Sequence, residues 1–228
     1  MRKKFAPFLA LFLCIAFIVS SVASAQEGLD RSVQKVRLKM MYVQVPNYDN
    51  VKIVRSETTN TAEVKLFDKT TGDLLHKYVE TVEKDTSSTF AAKSGDFYIV
   101  TVHEEQTDGP AVTRLEVKMN VYSSGSFRQI NSIESKKMFP VSSGYFTVED
   151  RDVVAISATG SFPTTEIRAN GTGVVTHKST KTESGELAFT AGYLAIWGFN
   201  ISYTNSDQKD FYARKHISMS LNYNLYPN

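Results

Sequence analysis

Residues 217–225 read ISMSLNYNL. Ile217, Met219, Leu221, Tyr223 and Leu225 fall on one side of an extended chain. Ser218, Ser220, Asn222 and Asn224 fall on the other. Period two is the signature of a strand with one buried face. The alternation recurs upstream. In 115–121, Leu115, Val117, Met119 and Val121 oppose Glu116, Lys118 and Asn120. In 36–42, Val36, Leu38, Met40 and Tyr42 oppose Arg37 and Lys39. Leu29, Val33, Val36 and Met40 also suit one short N-terminal helix.

Turn signals separate the alternating runs. They include Asp68–Asp73, Ser94-Gly95-Asp96, Asp108-Gly109-Pro110, Ser123–Gly125, Ser142–Gly144, Asn170-Gly171 and Ser184-Gly185. Many short strands at such intervals predict an all-β, mostly antiparallel β-sandwich. No strand–helix alternation suggests a parallel sheet. About 200 residues suffice for one large β domain or two small ones. The punctuation at 106–110 predicts two small sandwich units, 26–108 and 109–228, after a leader at 1–25.

That leader begins with Arg2, Lys3 and Lys4. An apolar run follows from Phe5 to Val22, and then Ala23-Ser24-Ala25. Positive start, apolar middle and small-residue site describe a secretory signal cut after Ala25. Cys14, the single cysteine, is preceded by Leu13 and followed by more apolar residues, unlike a lipidation site. The mature chain then holds no cysteine. That excludes disulfides, thiolate–zinc sites and a cysteine nucleophile. A cysteine-free exported chain points to bacterial secretion, of the Gram-positive kind, and an extracellular location. No stable membrane span is expected once the signal is gone.

The leader carries three basic residues and no acidic one. So 26 Lys+Arg against 24 Asp+Glu become 23 against 24 after cleavage. No basic cluster is interleaved with aromatics, which argues against a nucleic-acid partner.

Residues 61–105 hold an apolar strand, a D-x-x-T-G turn, a second strand and then SGDFYIVTV. This segment resembles the prealbumin-like sandwiches of Gram-positive surface proteins (the collagen-adhesin B type) and carboxypeptidase-regulatory-like domains. In the surface family the resemblance implies a Lys–Asn isopeptide bond assisted by a buried acid. The residues of that pattern are not located here. Residues 111–228 resemble no family.

Motifs for chemistry are sparse. His76, His103, His177 and His216 are isolated, without H-E-x-x-H. His103-Glu104-Glu105 places His103 and Glu105 on one strand face, a pair that could bind metal or carry protons. A solvated strand end explains it more simply. Asp68 and Asp73 flank a Gly turn, where turn geometry is the first reading and weak calcium binding the second. No metal or other cofactor is therefore expected, with His103, Glu105, Asp68 and Asp73 as the only outside candidates. Glu149–Asp152 reads as a solvated turn, since Arg151 interrupts the acids and no calcium loop is present. His177 sits in an edge-like polar strand, expected to be exposed. There is no G-x-S-x-G, S-x-x-K or phosphate-cradling glycine loop. Residues 172–190 alternate weakly, as membrane hairpins do, but Lys178, Lys181, Glu183 and Glu186 suit an exposed hairpin better.

The aromatic run GYLAIWGFNISYTN is the strongest binding candidate. On a regular strand Tyr193, Ala195, Trp197, Phe199, Ile201 and Tyr203 would share a face, with Tyr193, Trp197 and Tyr203 as the candidate binding residues. An exposed row is a platform for sugars or a partner protein. A buried row is core, and the apolar opposite face at Leu194 and Ile196 favours core. These observations lead to a secreted, non-enzymatic binding module of the bacterial envelope. Its partner would be a surface, glycan or protein. A secreted hydrolase built from scattered His and carboxylates is the alternative, and a structural matrix protein the third reading.

Overall fold

The structure, a computed structural model, describes residues 33–47, 49–86, 95–142, 145–179, 190–204, 206 and 210–227. The leader and Ser184-Gly185 lie outside them. The strands are β1 (Val33–Arg37), β2 (Tyr42–Pro46), β3 (Val51–Glu57), β4 (Thr61–Asp68), β5 (Leu74–Lys84), β6 (Asp96–Asp108), β7 (Ala111–Ser124), β8 (Phe127–Pro140), β9 (Phe146–Ser157), β10 (Glu166–Ser179), β11 (Asn200–Tyr203) and β12 (Phe211–Asn224). One short helix, α1 (Ala191–Ile196), precedes β11.

Two antiparallel sheets face each other. One is a meander in sequence order, β3 to β8. The other runs β1-β2-β12-β10-β9, with β11 also paired to β12. Alternation sets the packing. In β7, Leu115, Val117, Met119 and Val121 are wholly buried. In β12, Met219, Leu221 and Tyr223 are buried, and Ser218 and Ser220 face solvent. Side chains of both sheets form one core that includes Val43, Val64, Val102, Ile167 and Leu221. The all-β sandwich is thus the architecture.

The division at 108/109 does not hold. It falls in the β6–β7 hairpin, where Asp108 pairs with Ala111 in the middle of the meander. The residues from 33 onward form one compact unit. Its second sheet joins the N-terminal β1–β2 hairpin to the C-terminal strands.

Other local expectations are also corrected. Residues 36–42 are not one strand, because the chain reverses between β1 and β2, and Leu38 bonds from its N–H to Met41 O at 2.8 Å. Val33 and Val36 lie in β1, not in a helix. Asn170-Gly171 is the middle of β10 rather than a turn. A Cβ on Gly171 would lie 2.9 Å from Met138 Sδ and 3.0 Å from a Leu115 methyl, so the bare backbone lets the sheets approach. Glu149–Asp152 is an irregular stretch of β9, where the register to β10 shifts and Asp150 has φ 50°.

Candidate functional site

The aromatic run does not form one strand. Thr190 caps α1 with extended backbone, and its Oγ1 accepts from Tyr193 N at 3.2 Å. The helix stops in a Schellman motif. Phe199 N donates to Leu194 O at 3.2 Å and Gly198 N to Ala195 O at 3.0 Å, with Gly198 at φ 81°. Leu194 and Phe199, the two positions whose apolar side chains that motif brings together, both enter the core.

Helical spacing decides which face is outside. Positions i, i+3 and i+4 lie together. Tyr193, Ile196 and Trp197 have that spacing, and they are 44%, 81% and 36% exposed. Leu194, expected opposite the row, is the buried residue. Tyr203 on β11 is 48% exposed and meets Phe211 edge-on, with ring centroids 6.3 Å apart. Of the row, Tyr193, Trp197 and Tyr203 are therefore not core, whereas Phe199 is. Tyr193 and Trp197 stand on the surface on α1 and its C-cap, and Tyr203 stands on β11.

Two contacts fix α1 in place. The Trp197 indole lies directly on Gly109, where an added Cβ would fall 2.4 Å from the ring. Gly109 has φ 61°. A positive φ there followed by Pro110 suits the two-residue hairpin between β6 and β7. Lys215 of β12 provides the second contact. Its Nζ donates to Asp108 Oδ1 at 2.6 Å and to Trp197 O at 2.8 Å. It joins both sheets to the helix C-terminus, where a cation also meets the favourable end of the helix dipole.

Behind the patch lies an aromatic layer. His177 packs with Phe146 and Phe211, at centroid distances of 5.3 and 6.0 Å, and Phe146 packs with Phe199 at 6.1 Å. His177 Nδ1 is 2.8 Å from Tyr145 O. The expectation of an exposed edge histidine is wrong, because β10 is central, between β12 and β9.

His103 and Glu105 do share the outer face of the meander, but not at a solvated strand end. Both are largely buried in mid-β6, under a ladder of charged side chains. Glu105 is gripped by Arg114, through Nε at 3.0 Å and also through Nη2, and by Lys77 at 3.1 Å. Burial alone would raise its pKa; the bonds from Arg114 and Lys77 outweigh that and lower it. His103 Nε2 stands 3.7 Å from Glu105 Oε1. Burial, and then the Arg114 charge, hold its pKa down at about 4. A metal ion there would have to displace two cations from the carboxylate. Asp68 and Asp73 lie in the β4–β5 turn. Asp68 Oδ1 accepts from Thr70 N at 2.6 Å and Thr71 N at 3.0 Å, bonds that lower its pKa. Asp73 spends its N–H on Thr71 Oγ1 at 3.2 Å.

Sequence reasoning missed two acids inside the sandwich. Glu80 is fully buried. Its carboxylate accepts from Lys39 N at 2.6 Å, Met40 N at 3.0 Å and Met41 N at 3.3 Å, and so pins the β1–β2 turn. Burial raises its pKa against those bonds. Glu104 Oε1 is 2.7 Å from His76 Nδ1 and accepts from Tyr78 Oη at 3.3 Å. Period two could have exposed both, since Tyr78, Glu80, Val102 and Glu104 fall on the inward face by register.

Among the described residues no helix is long and apolar enough to cross a membrane. No family model, curated protein or solved structure matches this chain significantly.

Proposed function

We propose that this chain is a secreted, non-enzymatic β-sandwich module acting at or outside the bacterial cell envelope, and that it binds its partner through the α1 end. The observation that carries this reading is the solvent-facing trio Tyr193, Ile196 and Trp197, with Tyr203 on the strand that follows. Large apolar side chains grouped at the surface are uncommon without a partner. Tyr and Trp give much contact area with few rotatable bonds. Both sheets hold the patch in place through Gly109 and Lys215, so little ordering remains to be done on binding.

A binding screen of the mature chain against glycans and envelope proteins tests the reading. Ile196→Asp should abolish whatever specific binding is found, with folding unchanged. Retention of all binding by that variant would remove the α1 end as the site. Export is tested separately, by an N-terminus at Gln26 in the secreted form.

A further inference from the structure

We infer that the α1 end is a lipid-insertion tip, which seats Tyr193, Ile196 and Trp197 in the interfacial zone of a zwitterionic lipid bilayer. The inference rests on the α1 end being the binding surface and names what it meets there.

Three observations favour lipid. The first is charge. From Leu187 to Ser206, 20 consecutive residues contain no Asp, Glu, Lys or Arg. Helix α1 has no acidic residue in its first turn and no basic residue in its last. Nothing charged on the helix has to be dehydrated on entering the headgroup region.

The second is chemistry. Trp and Tyr concentrate at membrane–water interfaces, where an apolar ring and one polar atom are both accommodated. Ile196, the most exposed of the three, supplies the wholly apolar point.

The third is size. A large side chain presents about 200 Å², so at the observed exposures the trio offers roughly 300 Å². A specific protein interface needs about 800 Å² per partner. A small apolar tip is short of that area, whereas reversible partitioning into a soft, planar surface scales with whatever apolar area is buried.

The electrostatics select the lipid type. Lys215, whose Nζ meets the C-terminal end of the helix, is held by Asp108 and the Trp197 carbonyl. Arg214 is paired with Glu149 at 2.6 Å, and Lys178 lies 5.5 Å from the Tyr212 ring centre. These basic groups are engaged with partners of their own, and 23 basic against 24 acidic residues leave the mature chain with no excess of positive charge. Attraction to anionic lipid is therefore not the driving term.

Trp197 is the single tryptophan, so its emission reports the tip directly. The mature chain is mixed with phosphatidylcholine vesicles and with vesicles carrying brominated acyl chains. Expected results are a blue shift of Trp197, quenching by the brominated lipid and co-sedimentation that persists from about 0.05 to about 0.5 M salt. Ile196→Asp should weaken partitioning about tenfold or more, with an unchanged melting temperature. Unaltered emission and no co-sedimentation overturn the inference. So does binding that needs phosphatidylglycerol and is lost in salt, or full partitioning by the Asp variant. If vesicles fail but Ile196→Asp loses a glycan or protein ligand, the lipid assignment falls and the binding-module reading stands.

Discussion

The turn at 38–41 and helix α1 are both irregular pieces fastened to the same sandwich, the first by charge and the second by apolar packing with one ion pair at its C-terminus. Glu80 reaches from β5 and takes three backbone N–H groups of the turn. Arg55 Nη2 donates to Leu38 O at 2.8 Å and Arg128 Nη1 to Met40 O at 2.8 Å. Charge buried in this way leaves its partners stranded if one member is lost. Helix α1 is held mainly by Leu194 and Phe199 in the core, with Lys215 bonded to its C-terminal carbonyl at Trp197, and its outer face is left apolar. The first region spends its special chemistry on the fold. The second keeps side chains in reserve, and for that reason it is the candidate site.

The largest expected effect is at the charged fastening. Glu80→Ala should cost about 3–5 kcal/mol in urea denaturation, since three N–H groups lose their acceptor inside the protein. Glu80→Gln, which keeps a carbonyl oxygen, should cost less. A loss under about 1 kcal/mol for the Ala variant would break the comparison, by showing that water satisfies the turn as well as the carboxylate does.

Leu194→Ala tests the other fastening. Removing a fully buried Leu side chain should cost about 3 kcal/mol through lost transfer energy and a residual cavity. Because α1 carries Trp197, emission should also shift red before the global transition. Simultaneous loss of all signals would show that the helix is not a separately detachable element.

How much of this was legible follows the same contrast. Strands β7 and β12 were readable because their inward residues are mostly apolar, as at 115–121 and 217–223, and the residues between them are mostly polar. The β1–β2 hairpin was not. Its turn keeps alternation across 36–42, and the group that allows it to bury Leu38 and Met41 is Glu80, about 40 residues away. Helix α1 was misread because apolar residues on both faces fit a buried strand as well as a helix. Thr190 and Gly198 were the available signals, a cap and a C-terminal stop at helical distance. The exposure of Trp197 depends on Gly109, a residue of another hairpin, and no local pattern contains that.

A third prediction concerns pH and sharpens the division, since charge burial belongs to the meander and not to α1. His103 has a folded pKa of about 4, against 6.5 for an unperturbed histidine. Arg114, Lys77, Glu105 and Glu116 are the charges around it. The unfolded chain takes the proton first as pH falls. Stability is therefore undiminished above about pH 6.5 and declines toward pH 4, by about 3 kcal/mol in full. Glu80 contributes the opposite slope, because its raised pKa makes the folded state the better proton acceptor as pH falls. His103→Gln should flatten the decline between those two values. A decline that persists unchanged in the variant would assign it to other groups.

The smallest stability effect is expected at the most exposed residue of the patch. Ile196 is 81% exposed, so Ile196→Ser removes almost no buried area. It should change unfolding free energy by no more than about 0.5 kcal/mol, as surface substitutions do. Trp197→Ala should cost more, because one face of its ring lies on Gly109. It should still fall short of the roughly 3–5 kcal/mol that deleting a buried tryptophan costs. The order Leu194, Trp197, Ile196 is thus a gradient from core to solvent within about one turn of chain. Binding should run the other way, with Ile196 and Trp197 decisive and Leu194 acting only through the fold. An Ile196→Ser variant that loses several kcal/mol would place that side chain in a contact of the folded chain, and the α1 end would then be one more fastening rather than a free surface.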